Sequence, residues 1–129
     1  MRVIYLPGGD DLPEIRDIKN DLHVLQEHVD GYIETAPMKI MISADIRMIV
    51  NEDGRYCDFE PNRVASYYHS GITNQYLSKF DPRVIVGPAL IVGVAGDGFT
   101  DVTEYQIRWI STMGKPFVEW DPFEGRTGK

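Results

Sequence analysis

The residues best suited to hold a ligand lie in one run, Pro61-Asn62-Arg63 followed by Tyr67, Tyr68 and His69. Asn62 is placed to cap a helix and still offer amide donors, and the Arg63 guanidinium is a planar fork matched to a carboxylate or phosphate. Tyr67, Tyr68, His69 and the nearby Tyr76 combine stacking surfaces with polar tips suited to a partner protein or a nucleobase. These residues also have an ordinary structural use, in which Arg63 pairs with an acid such as Glu60 to anchor a loop and the aromatics pack inward. Asn62, Arg63, Tyr67, Tyr68 and His69 are therefore the predicted ligand-binding residues, with loop anchoring and core packing as the plainer alternative.

A second candidate is the glycine-punctuated stretch 87–101, whose segment 93–101 is predicted to run from a strand into a helix. Backbone amides at such a corner can cradle a phosphate. Asp97, Asp101 and Glu104 would repel an anion there, and the glycine spacing matches neither the P-loop nor the dinucleotide fingerprint. A turn followed by a helix cap is the stronger reading.

Catalytic and metal chemistry find less support. His23 and His28 are five residues apart on a predicted helix, so they point about 140° apart and cannot grip one metal from that helix. His69 is the histidine placed to serve as a general acid or base, yet nothing in the sequence sets it beside a nucleophile. Cys57 is the single cysteine, which excludes an internal disulfide and a cysteine-cluster zinc site and is expected to be buried and inert. The acids Asp10-Asp11, Glu52-Asp53 and Asp58 with Glu60 fall at predicted turns, where carboxylates face water. No catalytic residue, no metal site and no cofactor is predicted.

The elements that must position these residues fit one domain: 129 residues, 43% apolar and 26% charged, suffice for a core without metal or disulfide staples. A formal net charge of −7, from 13 basic and 20 acidic residues, argues against conventional nucleic-acid binding, which needs clustered cations. The two signs are interspersed, so mimicry of a nucleic-acid backbone is also disfavoured. No stretch approaches the roughly 20 apolar residues of a membrane helix. The opening run is too short for a signal peptide, and the expected location is the cytoplasm.

Residues 3–6 read as a first strand, ended by Pro7-Gly8-Gly9 and paired as a hairpin with a short strand in 12–18. Ile18, Leu22, Leu25 and Val29 recur at helical spacing, with Asn20 as N-cap and Gly31 in the left-handed position beyond the end. Strands follow at 32–36 and 40–50, and the Asp53-Gly54 pair predicts a hairpin returning along 55–59. Asn62 opens a helix with a Val64, Tyr67 and Tyr68 face, interrupted at Ser70-Gly71 and followed by a short helix in 73–80. The apolar run 84–94 is split into two strand portions at Gly87-Pro88. Phe99 is expected to staple a last helix, with an Asp101/Glu104 capping box, a helical stripe of Val102, Tyr105, Trp109 and Met113, and a stop at Gly114. Residues 117–120 read as a final edge strand and 121–129 as a loose tail. This order of strands and helices predicts an α+β domain over 1–120, with a mainly antiparallel sheet and two to four helices.

Several short signatures occur together: Asn20-Asp21-Leu22, Leu25-Gln26, Val29, Gly31-Tyr32-Ile33-Glu34, Asn51-Glu52-Asp53-Gly54, Pro61-Asn62-Arg63, Ile85-Val86-Gly87, Ile91-Val92-Gly93, Gly98-Phe99-Thr100 and Gln106-Ile107. In this order, over residues 1 to 110, they resemble the domain-of-unknown-function family 3846, small proteins of bacteriophages and mobile elements. The segment 61–80 is longer than that pattern, and the tail after Gly114 has no counterpart in it. The resemblance implies a phage or mobile-element origin and a life in the host cytoplasm, and it supplies no catalytic residue and no ligand. The expected function is a non-enzymatic binding protein that occupies a host protein or a small nucleotide-type ligand, plausibly blunting host defence. The alternatives are a small enzyme acting on a nucleotide or protein substrate, with His69 as its acid or base, and a structural or assembly component. Homo-oligomers are compatible with the apolar run 84–94 and the edge 117–120.

Overall fold

The computed structural model describes residues 1–40, 45–115 and 117–123. β1 (Arg2–Leu6) and β2 (Glu14–Asp17) form the predicted first hairpin, with Ile4 opposite Ile15. Helix α1 (Leu22–Val29) is followed by β3 (Ile33–Ala36) and β4 (Ile46–Asn51), paired antiparallel. A 3₁₀ turn (Gly54–Tyr56) and the two-residue strand β5 (Pro61–Asn62) lead into α2 (Arg63–Ser70). The apolar run divides at Gly87-Pro88 as expected: β6 (Ile85–Val86) pairs with β5, and β7 (Ala89–Ala95) enters the main sheet. β8 (Gly98–Thr100) folds back onto β7, and α3 (Glu104–Gly114) follows. The main sheet has the order β2-β1-β7-β4-β3, with β8 also on β7, and every pair is antiparallel. The chain is a small α+β domain.

β7 is the sheet's centre and is buried on both faces, which explains why its sequence is a continuous apolar run instead of an alternation. Leu90 and Val92 face α1 and pack with Val3, Ile49, Leu25 and Val29. Ala89 and Ile91 face the other side, where Ile4, Leu6, Met48 and Val50 meet α2 and α3 through Val64, Tyr68, Ile107 and Ile110. Each fully buried aliphatic side chain contributes about 1.5–3 kcal/mol.

Several expectations are corrected by long-range contacts. Asp21, not Asn20, caps α1 by accepting from His23 N, and Asn20 instead donates across the fold to the Phe99 carbonyl. Asp30, with φ of 62°, takes the left-handed position predicted for Gly31, and Leu22 of the predicted stripe is exposed. β4 starts only at Ile46, and residues 41–44 of the predicted strand lie outside the described residues. No hairpin forms at Asp53-Gly54. Gly54 packs so closely on Val86 that a Cβ would run into the Val86 carbonyl, and Arg55 is drawn to the 81–84 loop, so 55–59 does not return as a strand. The predicted helix in 73–80 is replaced by turns beyond Gly71, with only Ile72 and Leu77 reaching a small cluster with Phe59, Val84 and Val86.

The last helix shows the largest change. Gly98 to Thr100 is strand, so Phe99 packs beside the α1 cluster and the chain does not pass from β7 straight into a helix. Asp101 accepts from Arg2 N, and the capping box is made by Thr103 with Gln106. The inward face of α3 is Ile107, Ile110, Ser111 and Gly114, whereas Tyr105, Trp109 and Met113 are exposed. Residues 117–120 are not strand and tuck Val118 and Trp120 inward, so the main strand path ends at β2 and β3. Of the predicted tail, 124–129 lie outside the described residues.

One side chain joins these parts. Asn62 is buried, its Oδ1 accepts from Ala65 N at 3.0 Å, and its Nδ2 donates to Leu6 O at 3.1 Å and Gly87 O at 2.9 Å. Asn62→Ala should lower unfolding free energy by about 2–4 kcal/mol, through the lost cap and two stranded carbonyls. Asn62→Asp keeps the cap acceptor but loses both donors, so urea denaturation should find it destabilised as well; wild-type stability for Asn62→Asp would reduce the role of Asn62 to capping.

Candidate functional site

The five predicted binding residues all belong to α2 or its cap, yet they do not converge on one cavity. Asn62 spends its amide on the backbone as described above. Arg63 is half-buried and each of its side-chain nitrogens has a partner: Nε donates to Asp10 Oδ1 at 2.8 Å, Nη1 donates to Asn74 O at 2.6 Å, and Nη2 donates to Gln75 O. It thereby ties the 8–10 loop to the 74–75 loop, with Asp10 in the place expected for Glu60. Tyr68 is fully buried and donates to Ile110 O at 2.7 Å. Tyr67 stacks on Phe117 and donates to Met113 O. Of the five, only His69 opens onto the cleft beside β3 and β4.

That cleft, of about 260 Å³, lies between the end of the β3–β4 pair and the 82–86 segment. Its apolar lining is Val50, Val84, Ile85 and Val86, and its polar rim holds Glu34, Glu52, Arg55, Tyr56 and His69. His69 Nδ1 is 2.6 Å from Pro37 O; a carbonyl only accepts, so Nδ1 carries the hydrogen, and Nε2 has no hydrogen-bond partner among the described residues. Arg55 Nη2 donates to Asp81 O and Val84 O, which fixes the guanidinium against the cleft wall. The histidine thus shares a concave site with two carboxylates, and among the described residues no cysteine or serine lines it.

The other notable surface is the outward side of α3. Tyr105 is 66% exposed, Trp109 37% and Met113 38%, at spacings of four residues. The Tyr105 and Trp109 rings meet edge to face at 6.3 Å, and with Arg108 and Thr112 they form an apolar hollow of about 230 Å³. The sequence held the signal for this surface: of the helical stripe Val102, Tyr105, Trp109 and Met113, only Val102 is buried, and the core instead takes Ile107 and Ile110. Asp10, Asp11, Asp58 and Glu60 rim a further hollow beside Gly87 and Pro88, and among the described residues no group of His, Cys, Asp and Glu is arranged to hold a metal.

Residues 1–115, from β1 through α3, match the family described as domain of unknown function DUF3846. The chain belongs to this family. No curated protein and no solved structure matches it. In this DUF3846 chain the residues that carried the resemblance serve as joints of the fold. Asn20 holds β8 through Phe99 O, Asn51 Nδ2 donates to Val29 O and Asp30 O at the end of α1, and Asn62 joins β1 to the Gly87 kink. The glycine-rich landmark is likewise a strand hairpin, with Gly93 pressed against the Asp101 backbone. No helix is long and apolar enough to cross a membrane among the described residues.

Two titrations follow from these contacts. Burial, and secondarily Tyr67 beside it, pushes the Tyr68 phenol above its ordinary value of 10.0. An unfolded chain therefore releases this proton before the native one does, and stability falls as pH rises past 10. In an alkaline absorbance titration one tyrosine should stay un-ionised until the fold opens, and Tyr68→Phe should remove that last step. At the acid end, Arg83, through its side chain and its backbone N–H, holds the half-buried Asp81 down at about 2. That contribution is complete above the ordinary 3.8 and is lost as pH falls through about 2. Asp81→Asn should flatten this part of the acid-unfolding curve.

Proposed function

We propose that this DUF3846 protein is a non-enzymatic binding protein that acts by engaging another protein through the outer face of α3. The observation that carries this reading is the exposed Tyr105, Trp109 and Met113 stripe. Aromatic residues beside an arginine are the composition of interface hot spots, and a contiguous apolar patch on a helix is costly to leave in water. A protein is favoured over a small nucleotide-type ligand, because both Asn62 amide hydrogens are spent on backbone carbonyls and Arg63 is held by Asp10 and the 74–75 loop. The setting that goes with the family resemblance is a bacteriophage or mobile element in the host cytoplasm, with a host protein as the target and interference with host defence as the consequence.

The test is a photo-crosslinking amino acid at position 105 in the producing cell, read by mass spectrometry. One heterologous protein should be captured, and Trp109→Ala should abolish its capture while leaving the thermal midpoint nearly unchanged, since Trp109 lies outside the core. Undiminished capture by Trp109→Ala refutes the α3 reading, and crosslinks only to further copies of the chain replace it with the assembly reading.

A further inference from the structure

We propose that the free edge of β3 and the adjoining cleft form one docking site for an extended segment of a partner protein that carries a basic side chain. This inference stands apart from the α3 reading and rests on different residues.

The register of β3 on β4 decides which backbone groups are spent. Glu52 N donates to Tyr32 O at 2.8 Å, so Tyr32 and Glu52 are a hydrogen-bonded pair. With Ile33 opposite Asn51 and Glu34 opposite Val50, alternation makes Glu34 and Ala36 face β4. The N–H and C=O groups of Ile33 and Thr35 therefore point away from the sheet, and among the described residues nothing pairs with them. Such an edge is a template for an added strand.

The β2 and β3 edges differ in chemistry. β2 is guarded by Glu14, Arg16 and Asp17, with Glu14 paired to Arg16 at 2.9 Å and Arg16 lying over the Tyr5 ring. β3 carries one charge, Glu34, on the same side of the sheet as Val50 and the cleft. In an added strand, the residue beside Glu34 must project to that side too, because side chains alternate with period two. A lysine or arginine there lays its aliphatic stem over Val50, Val84, Ile85 and Val86 and brings its charge to Glu34 and Glu52. Among the described residues of the cleft, two carboxylates stand against one guanidinium, that of Arg55, itself held by Asp81 O and Val84 O, and this favours a cationic occupant. A second copy is disfavoured, since antiparallel pairing of β3 with itself brings Glu34 toward Glu34 and the chain's net charge is −7.

The test uses the full ¹⁵N-labelled chain and an acetylated, amidated pentapeptide, Thr-Lys-Val-Lys-Thr, as probe. Saturable amide shifts should centre on Ile33, Glu34 and Thr35, with slowed hydrogen exchange at Ile33 and Thr35. The Thr-Glu-Val-Glu-Thr peptide and the Glu34→Gln variant should each bind about tenfold more weakly, the scale of one charge-assisted contact. Thr35→Pro removes an outward donor without touching a β3–β4 bond, so it should keep a dispersed spectrum and lose most of the binding. Absence of saturable shifts at these amides, equal response to the Lys and Glu peptides, or full binding by a folded Thr35→Pro overturns the proposal. Concentration-dependent protection of Ile33 and Thr35 without peptide overturns it in favour of self-association.

Discussion

The carboxamide of Asn62 sits where β1 ends, where the apolar run kinks before β7 and where α2 begins, and it bonds all three. A buried carbonyl without a donor costs about 1–3 kcal/mol, so two such carbonyls and a helix cap place a heavy requirement on one side chain. Ser66 extends the junction, donating to Asn62 O and accepting from Ile85 N. The direction of α2 follows from this, and with it the positions of Arg63, Tyr68 and His69. Each of these residues then sees a different environment: a loop clamp, the core and an open cleft.

α2 in turn sets the rotation of α3. The Tyr68 hydroxyl reaches Ile110 O, and Gly114 leaves room for it, since a Cβ at 114 would run into that hydroxyl. With Ile110 and Gly114 facing α2, the Tyr105, Trp109 and Met113 side of the helix must face water. The aromatic surface proposed to engage a partner is thus a consequence of how a buried phenol is satisfied.

Much of the local structure was legible because its causes are local. The first hairpin, α1, the cap at Asn62, the split at Gly87-Pro88 and the stop at Gly114 all rest on turn residues, caps or periodicity within a few positions. The errors fall where a distant group competes with a local preference. Asp53-Gly54 favours a hairpin in isolation, yet Gly54 is needed against Val86 and Arg55 is claimed by Asp81 O and Val84 O. Asp101 has the type and position of a cap, yet its carboxylate accepts from Arg2 N, leaving the cap to Thr103.

By itself the sequence determined the class of the protein: one α+β domain, a central strand apolar enough to be buried on both faces, no cysteine framework and the DUF3846 pattern. It also held both stripes of α3 and the short β3, because composition and period are properties of the chain. Only the tertiary structure decided which stripe is buried, which edge of the sheet is left open and which polar groups remain unspent. Those choices depend on hydrogen bonds and contacts between residues far apart in sequence, such as Tyr68 with Ile110 or Asn62 with Leu6, and no local pattern carries their energy.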